Sequence, residues 1–136
     1  MGKAITGSVM VLLGLLALIS CSGPPQPIPE ETAAIEAMQK VREAYESKVS
    51  LPEFQQRLHA AAEKIAVLKT SDGANPCFLN AIDKSYSSYE IGQKAWKMRD
   101  EAETKNRRSD LDTTLSFTMG FASVSLAQAN ECFQSK

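Results

Sequence analysis

Residues 109–133 read SDLDTTLSFTMGFASVSLAQANECF. Leu111, Leu115, Met119, Ala122, Leu126, Ala129 and Phe133 recur there at three- and four-residue steps, the spacing of one helical stripe. Phe117, Phe121 and Val124 form a second stripe. The spacing predicts a helix from Ser109 or Asp110 onward. No charge occurs between Thr113 and Asn130. A helix apolar on two sides is expected at the centre of a core. Its threonines and serines weigh against a lipid-spanning segment. A membrane- or partner-inserting helix is the other reading.

Cys132 near the end of this stretch points to a second helix. The midpoint between Cys77 and Cys132 falls within Glu103-Thr104-Lys105-Asn106-Arg107-Arg108, the most polar stretch of the chain. Helices folding back there bring Cys77 and Cys132 together at the far end of a hairpin. Asn75-Pro76 suits the start of the earlier helix, a capping residue followed by proline at the first turn. Phe78, Ile82, Tyr86, Tyr89 and Trp96 lie on or near its apolar side. Ser85, Ser88, Gly92 and Ala95 form a neighbouring small-residue strip that permits close approach of another helix.

Two shorter helices are expected upstream. Pro29-Glu30-Glu31 places proline and two acids where a helix N-terminus favours them. Ile35, Met38, Val41, Tyr45 and Val49 follow at helical steps. Ser50-Leu51-Pro52-Glu53 has the form of a capping box, flanked by Val49 and Phe54 as a hydrophobic staple. Phe54, Leu58, Ala61, Ile65 and Leu68 then mark a helix ending before Gly73. The junction at 49–50 allows either a tight reversal or one long helix bent at Pro52. The expected fold is all-α: a small bundle of three to four helices over residues 30–136, built on a disulfide-closed helical hairpin.

The first residues carry a different signal. One charge, Lys3, precedes an apolar run from Val9 to Ile19. That run is shorter than the roughly 20 residues a spanning helix needs. Leu18-Ile19-Ser20-Cys21 resembles the lipobox of bacterial lipoproteins: an aliphatic residue, a tolerant position, a small residue and a cysteine. The resemblance covers residues 1–21 only. It implies that Cys21 receives a diacylglycerol and becomes the N-terminus once the signal peptide, residues 1–20, is cleaved. The other reading is an ordinary secretory signal cut after Ser22. In Gram-negative members an aspartate after the cysteine favours retention in the inner membrane. Ser22 stands here, so the resemblance implies the outer membrane, facing the periplasm.

Residues 21–29 then form a tether. Pro24, Pro25, Pro27 and Pro29 favour an extended polyproline II path. At about 3.1 Å per residue it holds the domain within roughly 25 Å of its anchor. With Cys21 lipidated, Cys77 and Cys132 are left as a pair, and an envelope compartment is oxidising enough to join them. Two free buried thiols are the alternative.

Composition narrows the function classes. The chain has 136 residues, a formal net charge of -1 and one histidine. A balanced charge does not suit nucleic-acid binding. No metal-ligand spacing, cofactor motif or catalytic constellation is present. His59 with Glu63 one turn on is the only acid–base pair of note, and such a pair is ordinary on a helix surface. The chain therefore reads as a non-enzyme without metal or cofactor. Tyr86, Tyr89 and Trp96 are the candidate contact side chains, because tyrosine and tryptophan join large area to a polar tip. The competing reading places them in the core. Arg107 and Arg108, among interleaved acids, mark a solvated tip or a docking point. The expectation is a small outer-membrane-anchored lipoprotein acting as an interaction or accessory module of the envelope. A helical carrier of small molecules or lipids, and an inhibitor, immunity or surface-exclusion lipoprotein, remain alternatives.

Overall fold

Asn75 shows how local sequence places the helices. Its side-chain oxygen accepts the backbone N–H groups of Cys77, at 2.9 Å, and Phe78, at 3.4 Å. Those donors have no partner inside a helix, so the cap starts one here. The computed structural model describes residues 25–134. Among them are four helices: α1 (Pro29–Glu46), α2 (Leu51–Lys69), α3 (Pro76–Asp100) and α4 (Lys105–Glu131). Short links make α1–α2, α2–α3 and α3–α4 antiparallel neighbours, and α4 also packs on α1. The fold is a small all-α bundle. Residues 1–20, Cys21 and the first part of the tether lie outside the described residues.

The junction near residue 49 is a reversal between two separate helices. Val49 N–H bonds to the Ala44 carbonyl at 3.2 Å and Lys48 N–H to the Tyr45 carbonyl at 3.1 Å. Lys48 takes a left-handed conformation, with φ 55°. This is the bond pattern of a Schellman stop. Ser50 then caps α2 by accepting the Glu53 N–H. Gly73 does not stop α2 directly. The hydroxyls of Thr70 and Ser71 fold back onto the Val67 carbonyl, and Gly73, with φ 79°, turns the chain toward α3.

The core runs along the bundle axis. Met38 and Val41, Phe54, Leu58 and Leu68, Phe78 and Ile82, and Met119 and Leu126 are buried on the four helices. In α1 the buried centre is Ala34, Met38, Val41 and Ala44, while Ile35 and Tyr45, and Val49 in the turn beyond the helix, are only partly buried. Small alanines let α1 approach closely, and the larger side chains wrap the edge of the contact.

The α3–α4 pair is the closest-packed. Ser85 donates its hydroxyl to the Ala122 carbonyl at 2.8 Å. A Cβ on Gly92 would lie 2.7 Å from Met119 Cε and 3.2 Å from Thr118 Oγ1. A disulfide joins Cys77 to Cys132, with Cα atoms 5.8 Å apart. Closing the 55-residue separation stabilises the fold by about 4 kcal/mol in the chain-entropy picture. Phe78 and Phe133 pack beside it, with ring centres 5.2 Å apart.

Two expectations for α4 are corrected. The helix begins at Lys105, a turn before Ser109, because Thr104 caps it by accepting the Arg107 N–H. Nor is α4 a central helix. In a ring of four, each helix has two side neighbours and one buried flank. Leu115, Met119, Ala122, Leu126 and Ala129 fill that flank, while Phe117, Phe121 and Val124 face solvent.

Candidate functional site

The five expected contact residues do not form one surface. Tyr89 is fully buried, so it is removed from any contact face. Its ring packs on Phe54, and its hydroxyl lies 3.3 Å from Ser123 Oγ. Burial raises its pKa above the usual tyrosine value. Tyr89 sits on the axis-facing stripe of α3 with Phe78 and Ile82, which is why the bundle encloses it. Trp96 is half-buried, edge-on to Tyr45 and tilted against Phe54. Tyr86 is also half-buried, and its hydroxyl donates to Glu90 at 3.3 Å. Partial burial, reinforced by the Glu90 charge, raises its pKa too.

Arg107 and Arg108 are exposed at the hairpin tip. Arg108 closes the turn by donating from Nε to the Ala102 carbonyl at 2.8 Å. Arg99 pairs with Asp100 at 2.8 Å and with Asp112 at 3.2 Å. Its hydrogen bond to Asp100, with a second to Asp112, raises its pKa. The tip is thus braced by its own charges.

Below that brace lies a groove of about 610 Å³, lined by Tyr45, Trp96, Leu115, Arg99 and Asp112 among others. Its floor is aromatic and aliphatic and its rim is charged. It exists because α1 and α2, of 18 and 19 residues, stop short of the tip of the 25- and 27-residue α3 and α4. His59 and Glu63 lie 3.6 Å apart on an open surface, with side chains 79% and 70% exposed. Nothing there encloses a substrate. No group of three or more potential metal ligands occurs among the described residues.

The most unusual surface is one that the sequence reading placed inside. Phe117 is 75% exposed, Phe121 50% and Val124 56%. Ile91 and Met98 of α3 are also exposed. Ser88, Ile91, Ala95 and Met98 follow one another at three- and four-residue steps and share one flank of α3. Phe121 lines a shallow cleft with Lys84, Ser87 and Ser88. The exposed apolar groups of both helices therefore border the same seam. Periodicity had marked the α4 residues as a stripe; Ile91 and Met98 gave no such signal, being isolated among polar neighbours. No helix among the described residues is long and apolar enough to cross a membrane. Comparison with known proteins finds no matching family model, no matching curated protein and no matching solved structure.

Proposed function

We propose that the protein is a lipid-anchored, non-catalytic interaction module of the bacterial envelope, held at the outer membrane through Cys21 and facing the periplasm. The observation that carries this reading is the exposed apolar face of α3 and α4 on an otherwise well-packed bundle. Contiguous apolar surface of this kind marks contact sites more often than chance exposure. Two further features support it. The lipobox-like Leu18-Ile19-Ser20-Cys21 supplies the anchor, and the Cys77–Cys132 disulfide suits an oxidising compartment. The module acts by presenting a surface, not by chemistry. Crosslinking of whole cells followed by mass spectrometry tests this, comparing wild type with Cys21→Ser. A specific envelope protein, captured by wild type and lost with Cys21→Ser, is the expected result. Equal capture by the unlipidated variant removes the anchor from the account.

The groove beside Trp96 favours a second reading, a small-molecule carrier. Its volume lies in the range of ligand sites, and Tyr45, Trp96 and Leu115 offer an apolar floor. Native mass spectrometry of the intact chain distinguishes the two. A co-purifying ligand lost on Trp96→Ala supports the carrier; a ligand-free mass sinks it.

A further inference from the structure

We propose that the outer face of the α3–α4 pair, centred on Phe117, Phe121 and Val124, is where two copies of this chain pair about a two-fold axis. The proposal rests on the interaction-module reading and names one partner for its surface: the chain itself. On the order of 500 Å² of apolar side chain stands in water on this face, counting Ile91 and Met98, which is the upper end of what a monomer leaves uncovered. With the surrounding threonines and lysine stems, it approaches the roughly 800 Å² per partner of a specific interface.

Three observations select a second copy. The first is charge. Helices that lie on anionic membranes carry lysine and arginine beside their apolar stripe, and α4 has neither after Arg108. The α4 side of the face, without charge from Thr113 to Asn130, can meet its own copy with no like charges opposed, and the ionic groups at its α3 edge, Asp83 and Lys84, are of opposite sign.

The second is shape. Gly120 neighbours Phe117, Phe121 and Val124 on the helix surface, and the space a Cβ would occupy there is empty. The patch thus holds both rings and a notch. An isologous contact needs this combination, because one surface must be complementary to itself. In an antiparallel crossing of two α4 helices near Gly120, the rings of each copy enter the notch of the other.

The third is concentration: in the lipid-anchored reading proposed above, the short Pro-rich stretch after Cys21 confines copies to a thin layer over one leaflet, where a modest interface is populated.

Photocrosslinking of the full chain in a bacterial host tests the proposal. Phe117 is replaced by p-benzoylphenylalanine, and copies bearing two different epitope tags are co-expressed. The expected result is an adduct at twice the chain mass that carries both tags. Phe121→Ser with Val124→Ser should reduce its yield at least tenfold, while circular dichroism shows the helices retained. Adducts that contain only lipid or only another protein overturn the dimer. A specific foreign-protein adduct does so while leaving the interaction-module reading in place. A face that captures nothing overturns both.

Discussion

The carboxylate of Glu31 accepts the backbone N–H of Asn75, 44 positions further along the chain. Its other oxygen accepts the Ile28 N–H at 2.9 Å. One buried side chain therefore closes the first turn of α1 and fixes the residue that caps α3. In sequence Glu31 is one of two acids suited to a helix start. Its neighbour Glu30 has only that generic role.

Glu31→Gln keeps the shape but leaves one oxygen for two donors, and turns an NH2 group toward a backbone N–H. Such a loss in a buried site costs about 1–3 kcal/mol. Glu30→Gln should stay within about 0.5 kcal/mol of wild type, as surface changes do. Urea denaturation of both variants makes the comparison. Equal midpoints would mean that the buried link adds nothing.

Gly92 and Gly120 both lie inside helices, and replacing them has opposite consequences. Alanine is favoured over glycine inside a helix by about 1 kcal/mol. Gly120→Ala meets nothing within 4 Å and should realise most of that gain. At Gly92 the new methyl enters the space of the Met119 thioether, 2.7 Å away. Met119 is itself buried, so moving it disturbs the core. Overpacking of this kind costs about 1–3 kcal/mol. Gly92→Ala is therefore expected to destabilise, and Gly120→Ala to stabilise, in thermal unfolding at low protein concentration. A stabilised Gly92→Ala would show that the α3–α4 seam is looser than its geometry.

The order of helices was legible in the sequence because caps and helical spacing act locally. Ser50 and Asn75 mark their helix starts, and the cysteine spacing implies a hairpin. What covers a stripe is not a local property. Phe117, Phe121 and Val124 have the spacing of core residues, yet a four-helix ring gives α4 one buried flank, and Leu115, Met119 and Leu126 fill it. Tyr89 went the other way: its phenol suited a contact surface, but its place on the axis-facing side of α3 put it in the core. The Glu31–Asn75 bond was hidden because neither residue departs from an ordinary helix-start pattern. The α1 centre at Ala34 and Ala44 was missed because alanine gives a weak periodic signal.

Lys48 occupies a conformation that glycine adopts freely. At φ 55° it closes the Schellman turn between α1 and α2. An L-residue with a Cβ is disfavoured there by about 1–2 kcal/mol, partly offset by the greater entropy glycine loses on folding. Lys48→Gly is therefore expected to stabilise by roughly 0.5–1 kcal/mol. Lys48→Ala, which keeps the Cβ, serves as the control for lost charge. If the two variants unfold at the same midpoint, the turn is not strained.

Tyr89 makes stability depend on alkaline pH. Burial favours its neutral phenol and raises its folded-state pKa above the usual 10.0. Below about pH 10 both folded and unfolded chains hold the proton, so the full stability is present. Above that the unfolded chain releases it first, and stability falls as pH rises through the folded pKa. Tyr86 acts in the same direction, through partial burial and Glu90, but from a half-buried position. Tyr89→Phe removes the titration along with the 3.3 Å contact to Ser123. At about pH 8 the variant should lose on the order of 1 kcal/mol, the usual worth of one hydrogen bond. Between about pH 10 and pH 11 its urea midpoint should fall less steeply than that of wild type. Parallel slopes would assign the alkaline loss to other groups.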